Sequence, residues 1–138
     1  MKTEDLAREV LSKLTDEGRT LATAESCTGG LLGKLLTDIP GASNAYKGGV
    51  ISYVSEVKHR LLGVEQETLD ICTAVSRETA HEMAKGAREA VKADVGVSIQ
   101  VLKSDKSEVV KVFQTASLHG NDKPIILKIG GGRNGKRR

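Results

Sequence analysis

Residues 20–30 run from a short apolar segment, Thr20 to Ala24, through Glu25, Ser26, Cys27 and Thr28 into two consecutive glycines, and helical spacing resumes at once in Leu31 to Leu36. A short strand delivered through a glycine turn into a helix is the repeating unit of α/β folds. Upstream, Thr3 is placed to cap a helix whose first turn carries Glu4 and Asp5; Leu6, Val10, Leu11 and Leu14 form its apolar stripe, and Gly18 stops it. Downstream, Gly48 to Tyr53 reads as a second strand. Ser55 is expected to cap a helix carrying Val57, Leu61 and Leu62 that ends at Gly63, and Ser76 a helix in which Ala80, Met83, Ala84 and Ala87 share a face. Asp94 to Val101, Val109 to Ala116 and Ile125 to Ile129 read as three more strands. The pattern predicts one α/β domain over residues 1–138: a three-layer sandwich with a mixed, mostly parallel sheet and helices on both faces.

A chain of 138 residues is long enough to bury roughly two-thirds of its unfolded surface. No apolar run approaches the roughly 18 residues of a membrane helix, and the start, MKTEDLAREV, lacks the basic and apolar regions of a signal peptide. A cytoplasmic protein without membrane association is expected, with Cys27 and Cys72 as reduced thiols. His59, His81 and His119 belong to no HExxH motif and the cysteines to no CxxC pair, so no metal site is expected. The formal charge is +3, but six of the 21 basic residues follow Asp122 with no acid among them, leaving 15 basic against 18 acidic residues before them. With Tyr46, Tyr53 and Phe113 as the only aromatics, nucleic-acid binding is not expected, and the basic end reads as a solvated tail.

Two segments carry candidate chemistry. In the turn from Glu25 to Gly30, backbone N–H groups at a helix start, the hydroxyls of Ser26 and Thr28, and the close approach allowed by Gly29 and Gly30 suit an anion such as a phosphate; the same residues also suit a plain helix-capping turn. Between Pro40 and Val64, Ser43 follows a Pro-Gly turn, Tyr53 ends a strand and Lys58 lies on the next helix. A serine becomes a nucleophile only when a base takes its proton, and without a catalytic histidine that base is a lysine whose pKa burial has depressed. Spacing alone also allows a capping Ser43, a packed Tyr53 and a solvated Lys58.

These segments, LATAESCTGGLLGKLLTDIPGAS and GGVISYVSEVKHRLLGV, together with the AVS cap at Ala74 to Ser76 and ADVGVSI at Ala93 to Ile99, closely resemble the C-terminal domain of the CinA family of competence- and damage-inducible proteins. The enzymatic members of that family are nicotinamide mononucleotide amidohydrolases of the PncC type. The resemblance implies hydrolysis of nicotinamide mononucleotide to nicotinate mononucleotide and ammonia without a cofactor. It implies Ser43 as nucleophile, with Ser26 the alternative, Lys58 as base and Tyr53 as assisting phenol. Ser26, Thr28, Gly29, Gly30 and Arg133 would bind substrate. After Ile99 the chain departs from the family's Thr-Gly-Ile-Ala-Gly-Pro loop and reads Gln100-Val-Leu-Lys-Ser-Asp-Lys-Ser, a change expected to close or reshape the substrate site. No counterpart of the family's last helix precedes Arg138, so an uncovered apolar face is expected, and with it either a homo-oligomer or a less stable chain. The alternative to an amidohydrolase is a catalytically silent module that binds a nucleotide or a protein.

Overall fold

The computed structural model describes residues 2–106 and 108–126. In chain order the elements are α1 (Thr3–Asp16), β1 (Leu21–Glu25), α2 (Leu31–Thr37), a 3-10 turn (Ala42–Asn44), β2 (Tyr46–Ile51), α3 (Ser55–Leu62), α4 (Gln66–Cys72), α5 (Arg77–Val91), β3 (Val95–Lys103), β4 (Val109–Leu118) and β5 (Asn121–Ile126). The strands form one sheet in the order β2-β1-β3-β4-β5. Strand β1 is parallel to β2 and β3, while β4 is antiparallel to both β3 and β5, so four strands run one way and β4 alone the other. Among the described residues no helix is long and apolar enough to cross a membrane.

Alternation along β1 divides the core between two layers of helix, as a period of two requires. Ala22 and Ala24 point to one face, where they meet Leu62, Val64, Leu69, Met83, Ala87 and Ala93 under α3, α4 and α5. Leu21 belongs to the other, with Ala7, Leu11, Leu36, Ile39, Ala42 and Ala45 from α1, α2 and the 3-10 turn. Small residues set the spacing of the first layer. A Cβ on Gly86 would stand 1.8 Å from the Leu62 carbonyl oxygen, and one on Gly96 only 2.1 Å from that of Ala84. Helix α5 therefore touches the end of α3 on one side and β3 on the other through backbone rather than side chains.

Several local expectations shift. Lys2, not Thr3, is the residue before α1, and its side chain makes no capping bond; Val54 stands in the same position before α3, displacing Ser55 into the helix. Ser76 does cap α5, its Oγ accepting the Thr79 N–H at 3.1 Å. The stripe on α1 buries Ala7 and Leu11, whereas Leu6 and Val10 are about half exposed (50% and 45%). The fifth strand begins at Asn121 rather than Ile125, because the tight turn at His119-Gly120, with Gly120 at φ +82°, returns the chain at once along β4. The segment that departs from the family is a hairpin: β3 runs on to Lys103, and Ser104 N–H meets the Glu108 carbonyl at 2.8 Å. Gln100 within it is fully buried, its Oε1 accepting from Ser76 N–H at 3.2 Å and its Nε2 donating to the Ala74 carbonyl at 2.6 Å.

Gly86→Ala is expected to destabilise the fold by roughly 1–3 kcal/mol, because two backbones must part to admit the methyl group. The urea midpoint measures it; an unchanged midpoint would mean that α3 and α5 are not held this close.

Candidate active site

Strand β1 has β2 on one side and β3 on the other. The connection after β1 leads to β2, while β3 leads away to β4, so the topological switch point of the sheet lies at the carboxyl ends of β1 and β3; such switch points are where open α/β sheets bind ligands. The residues just past β1 lie there.

Glu25, the last residue of β1, is 2% exposed. Its Oε1 accepts from Thr28 Oγ1 at 2.8 Å, Gly30 N–H at 3.1 Å and Leu32 N–H at 3.0 Å, and its Oε2 accepts from Gly33 N–H at 2.9 Å. The carboxylate thus takes the donors at the start of α2 and the Thr28 hydroxyl. Gly29 at φ +64° and Gly30 at φ +111° supply the left-handed backbone that folds the chain back over it. The anion expected in this turn is therefore the protein's own: Thr28 and Gly30 bind Glu25, and Gly29 donates its N–H to the Ser26 carbonyl at 3.0 Å.

Ser26, one residue on, is 7% exposed and turned toward the α3 side of the sheet. Lys58, on the second turn of α3, is 1% exposed, and its Nζ reaches Ser26 Oγ at 3.2 Å, the Ser52 carbonyl at 3.0 Å and the Tyr53 carbonyl at 3.2 Å. Burial pushes the Lys58 pKa below its ordinary 10.5, and the neighbouring Cys27 opposes that shift. Ser52 is itself fully buried, its N–H donating to the Glu25 carbonyl at 2.8 Å and its Oγ lying 3.4 Å from the same oxygen. The end of β1, the end of β2 and the start of α3 are thereby joined around one amine.

Ser43 is not part of this cluster. It is exposed in the 3-10 turn before β2, whereas Lys58 packs beyond the other end of that strand, and Tyr46 to Ile51 alone span about 16 Å at about 3.3 Å per residue. Helix α3 turns back over the carboxyl end of β2, so the Ser43–Lys58 pairing expected from the sequence is not formed and Ser26 occupies that position. Tyr53 reaches Lys58 through its backbone carbonyl alone, and the residue as a whole is 72% exposed. Arg133 lies outside the described residues. Cys27, half-buried, places its Sγ 3.6 Å from the Val101 carbonyl. Sequence reasoning missed the two carbonyls that receive Lys58 and the capping role of Glu25. The carbonyls carry no residue-type signal, but an acid ending an apolar strand just before a glycine turn is a legible one.

Glu25→Gln is expected to lower stability by roughly 1–3 kcal/mol, since an amide nitrogen in place of one oxygen turns a donor toward N–H donors that then go unmet. Chemical denaturation checks this, and an unchanged free energy of unfolding would show that the turn does not need the charge.

The profile of the CinA C-terminal domain matches residues 3–101. A competence-damage inducible protein of Caldanaerobacter subterraneus subsp. tengcongensis is 52% identical over 95 residues, 69% of this chain and 23% of that protein. One from Halothermothrix orenii is 44% identical over 138 residues, 96% of this chain and 33% of that protein. The matched region therefore spans 23% to 33% of the length of these curated relatives. Among solved structures, a competence or damage-inducible protein from Enterobacter asburiae superposes with a TM-score of 0.82 at 33% identity, over 95% of this chain and 86% of that one. The competence/damage inducible protein CihA from Agrobacterium tumefaciens does so with 0.81 at 34% identity, over 89% and 77%. In sequence and in fold, the chain belongs to the CinA C-terminal domain family.

Proposed function

We propose that Ser26 and Lys58 are the nucleophile and base of an amide hydrolase that converts nicotinamide mononucleotide and water to nicotinate mononucleotide and ammonia. The observation that carries the reading is the buried Lys58 Nζ, 3.2 Å from Ser26 Oγ and braced by two carbonyls. A neutral amine has two N–H groups and one lone pair. With the N–H groups on the Ser52 and Tyr53 carbonyls, the lone pair is left for the Ser26 hydroxyl, which is the arrangement a base requires. Desolvation favours that neutral form. The choice of substrate follows the family resemblance.

In this mechanism Ser26 Oγ attacks the carboxamide carbon as its proton passes to Lys58 Nζ. The carbonyl oxygen becomes an oxyanion. The N–H groups of Cys27 and Thr28, which have no protein acceptor among the described residues, directly follow the nucleophile and are the donors at hand. Collapse breaks the C–N bond, Lys58 returns its proton to the nitrogen, and ammonia leaves an ester on Ser26. Water, deprotonated by Lys58, then attacks the ester to release the carboxylate and restore the serine.

The substrate phosphate needs a place other than the α2 turn, where Glu25 already holds the donors. Ser26 lies one residue past Glu25, which pairs with Ile99; Gln100, next along β3, pairs with Phe113. Phe113, Lys111 and Arg77 line a pocket of about 260 Å³ at the start of α5, about 10 Å from β1 at two strand spacings. Those two cations, which share the pocket with Glu78, are the phosphate site in this reading.

Ammonia release from nicotinamide mononucleotide tests the proposal. Ser26→Ala, Lys58→Ala and the double variant should each lose at least about 1,000-fold in kcat, about equally, because each partner is idle without the other. Lys58→Arg should be as inactive, since a guanidinium stays protonated. Ser43→Ala should keep wild-type turnover. The rate should rise with pH through the lowered Lys58 pKa and then level, because the base works only when neutral. A fully active Ser26→Ala would remove Ser26 as nucleophile, and wild-type protein that releases no ammonia would point to the silent binding module.

A further inference from the structure

A cavity lies at the opposite end of the sheet from Ser26. It measures about 520 Å³ and is lined by Arg88, Glu89, Lys92, Ala93, Asp94, His119 and Gly120, where α5 ends and β3 begins. The size suits a small metabolite.

Its notable feature is a buried cation with few partners. Arg88, in the last turn of α5, is 7% exposed. Its stem passes over β3 at Gly96, where an added Cβ would come within 2.9 Å of Arg88 Cβ. Its Nε donates to Ser117 Oγ on β4 at 3.2 Å. That leaves four N–H groups on the two terminal nitrogens. Nη1 is 3.5 Å from His119 Nδ1, at the limit of a hydrogen bond, and Nη2 is 4.0 Å from Glu89 Oε2, on a side chain that is 59% exposed. A guanidinium with five donors in a fixed fork is ordinarily buried against a carboxylate that accepts two of them.

The other acid lining the cavity is already engaged. Asp94 Oδ2 accepts from both the N–H and the hydroxyl of Thr20, at 2.9 and 3.1 Å, and these bonds hold its carboxyl below the usual carboxylate range. Asp94 therefore anchors β3 to the start of β1 and forms no direct ion pair with Arg88 among the described residues, although its charge lines the same cavity. Lys92, exposed in a left-handed conformation at φ +58° where α5 ends, adds a second cation at the rim. We propose that this cavity is a binding site for a small phosphate-bearing metabolite, with the phosphate seated on the terminal nitrogens of Arg88 and drawn in by Lys92. The fork of Arg88 matches two phosphate oxygens, and Lys92 stands with Arg88 against the carboxylates of Glu89 and Asp94 in the same lining. The site is separate from the Ser26–Lys58 centre and does not depend on what that centre does.

Calorimetric titration of the full chain with inorganic phosphate, at ionic strength held constant with chloride, tests this, with succinate as a second arm to distinguish carboxylate from phosphate recognition. Saturable binding of about one phosphate, with succinate weaker, is expected in protein carrying Arg77→Ala and Lys111→Ala, which removes the phosphate site assigned to the substrate. Arg88→Gln should weaken phosphate binding at least tenfold. Lys92→Ala, at an exposed position that leaves the fold intact, should weaken it severalfold, and Ser26→Ala should leave it unchanged. Protein carrying Arg77→Ala and Lys111→Ala that binds no phosphate, or further variants at Arg88 and Lys92 that bind it as tightly as that parent, would overturn the proposal. Tighter binding of succinate than of phosphate would overturn the choice of ligand class.

Discussion

A carboxylate that ends a buried strand can be kept charged there only if donors surround it, and much of this fold follows from how Glu25 is supplied with them. Four donors, from Thr28, Gly30, Leu32 and Gly33, converge on its two oxygens, and three of the four are backbone N–H groups. Hydrogen bonds to a charged acceptor contribute about 1.5–3 kcal/mol each, against the several kcal/mol that burying an ion costs. Meeting that demand fixes the path of residues 26–33, since the chain must fold back over its own strand end for the donors to arrive. The two left-handed glycines, the start of α2 and the position of Ser26 are consequences. What resembles an open anion site is one already filled from within.

The second constraint is the burial of Lys58, which gives meaning to the first. An amine at 1% exposure is tolerable because three oxygens meet it, and those oxygens come from the segments after β1 and β2. Ser52 links the two, since its carbonyl receives Lys58 while its N–H holds the Glu25 carbonyl. The capping carboxylate and the amine thus share a frame. Movement of one strand end relative to the other would separate Oγ from Nζ. Desolvation shifts Lys58 toward neutrality beside the Ser26 hydroxyl, so one burial event provides both the alignment and the neutral amine that the proposed base requires.

The layers, the alternation of helices with strands and the buried face of α5 were legible in the sequence because they rest on periodicity: Ala80, Met83, Ala84 and Ala87 fall on one side of a 3.6-residue helix whatever surrounds it, and all four are buried. Lys58 stood out as the candidate base by elimination, there being no histidine suited to the task. Its partner was not. Ser43 and Ser26 are both hydroxyls next to glycine turns, and choosing between them needs the knowledge that β2 runs parallel to β1, which puts residues 26 and 52 at one end of the sheet and residue 43 at the other. The fate of the turn was likewise hidden, since a sequence shows donors without showing which acceptor they find. Arg88 gave no signal at all, because one arginine in a helical pattern of Arg, Glu and Lys looks solvated until Gly96 and Ser117 are placed beneath it.

The central claim is that Lys58 is held as a neutral base against Ser26, and the titration of its own side chain tests that most directly. Followed by NMR in protein carrying carbon-13 at lysine Cε, with Lys58→Met identifying the resonance, Lys58 should titrate below 10.5, and its midpoint should move in Ser26→Ala while the other lysines stay in place. A Lys58 resonance that titrates at or above 10.5, or one indifferent to the loss of the Ser26 hydroxyl, would contradict the account.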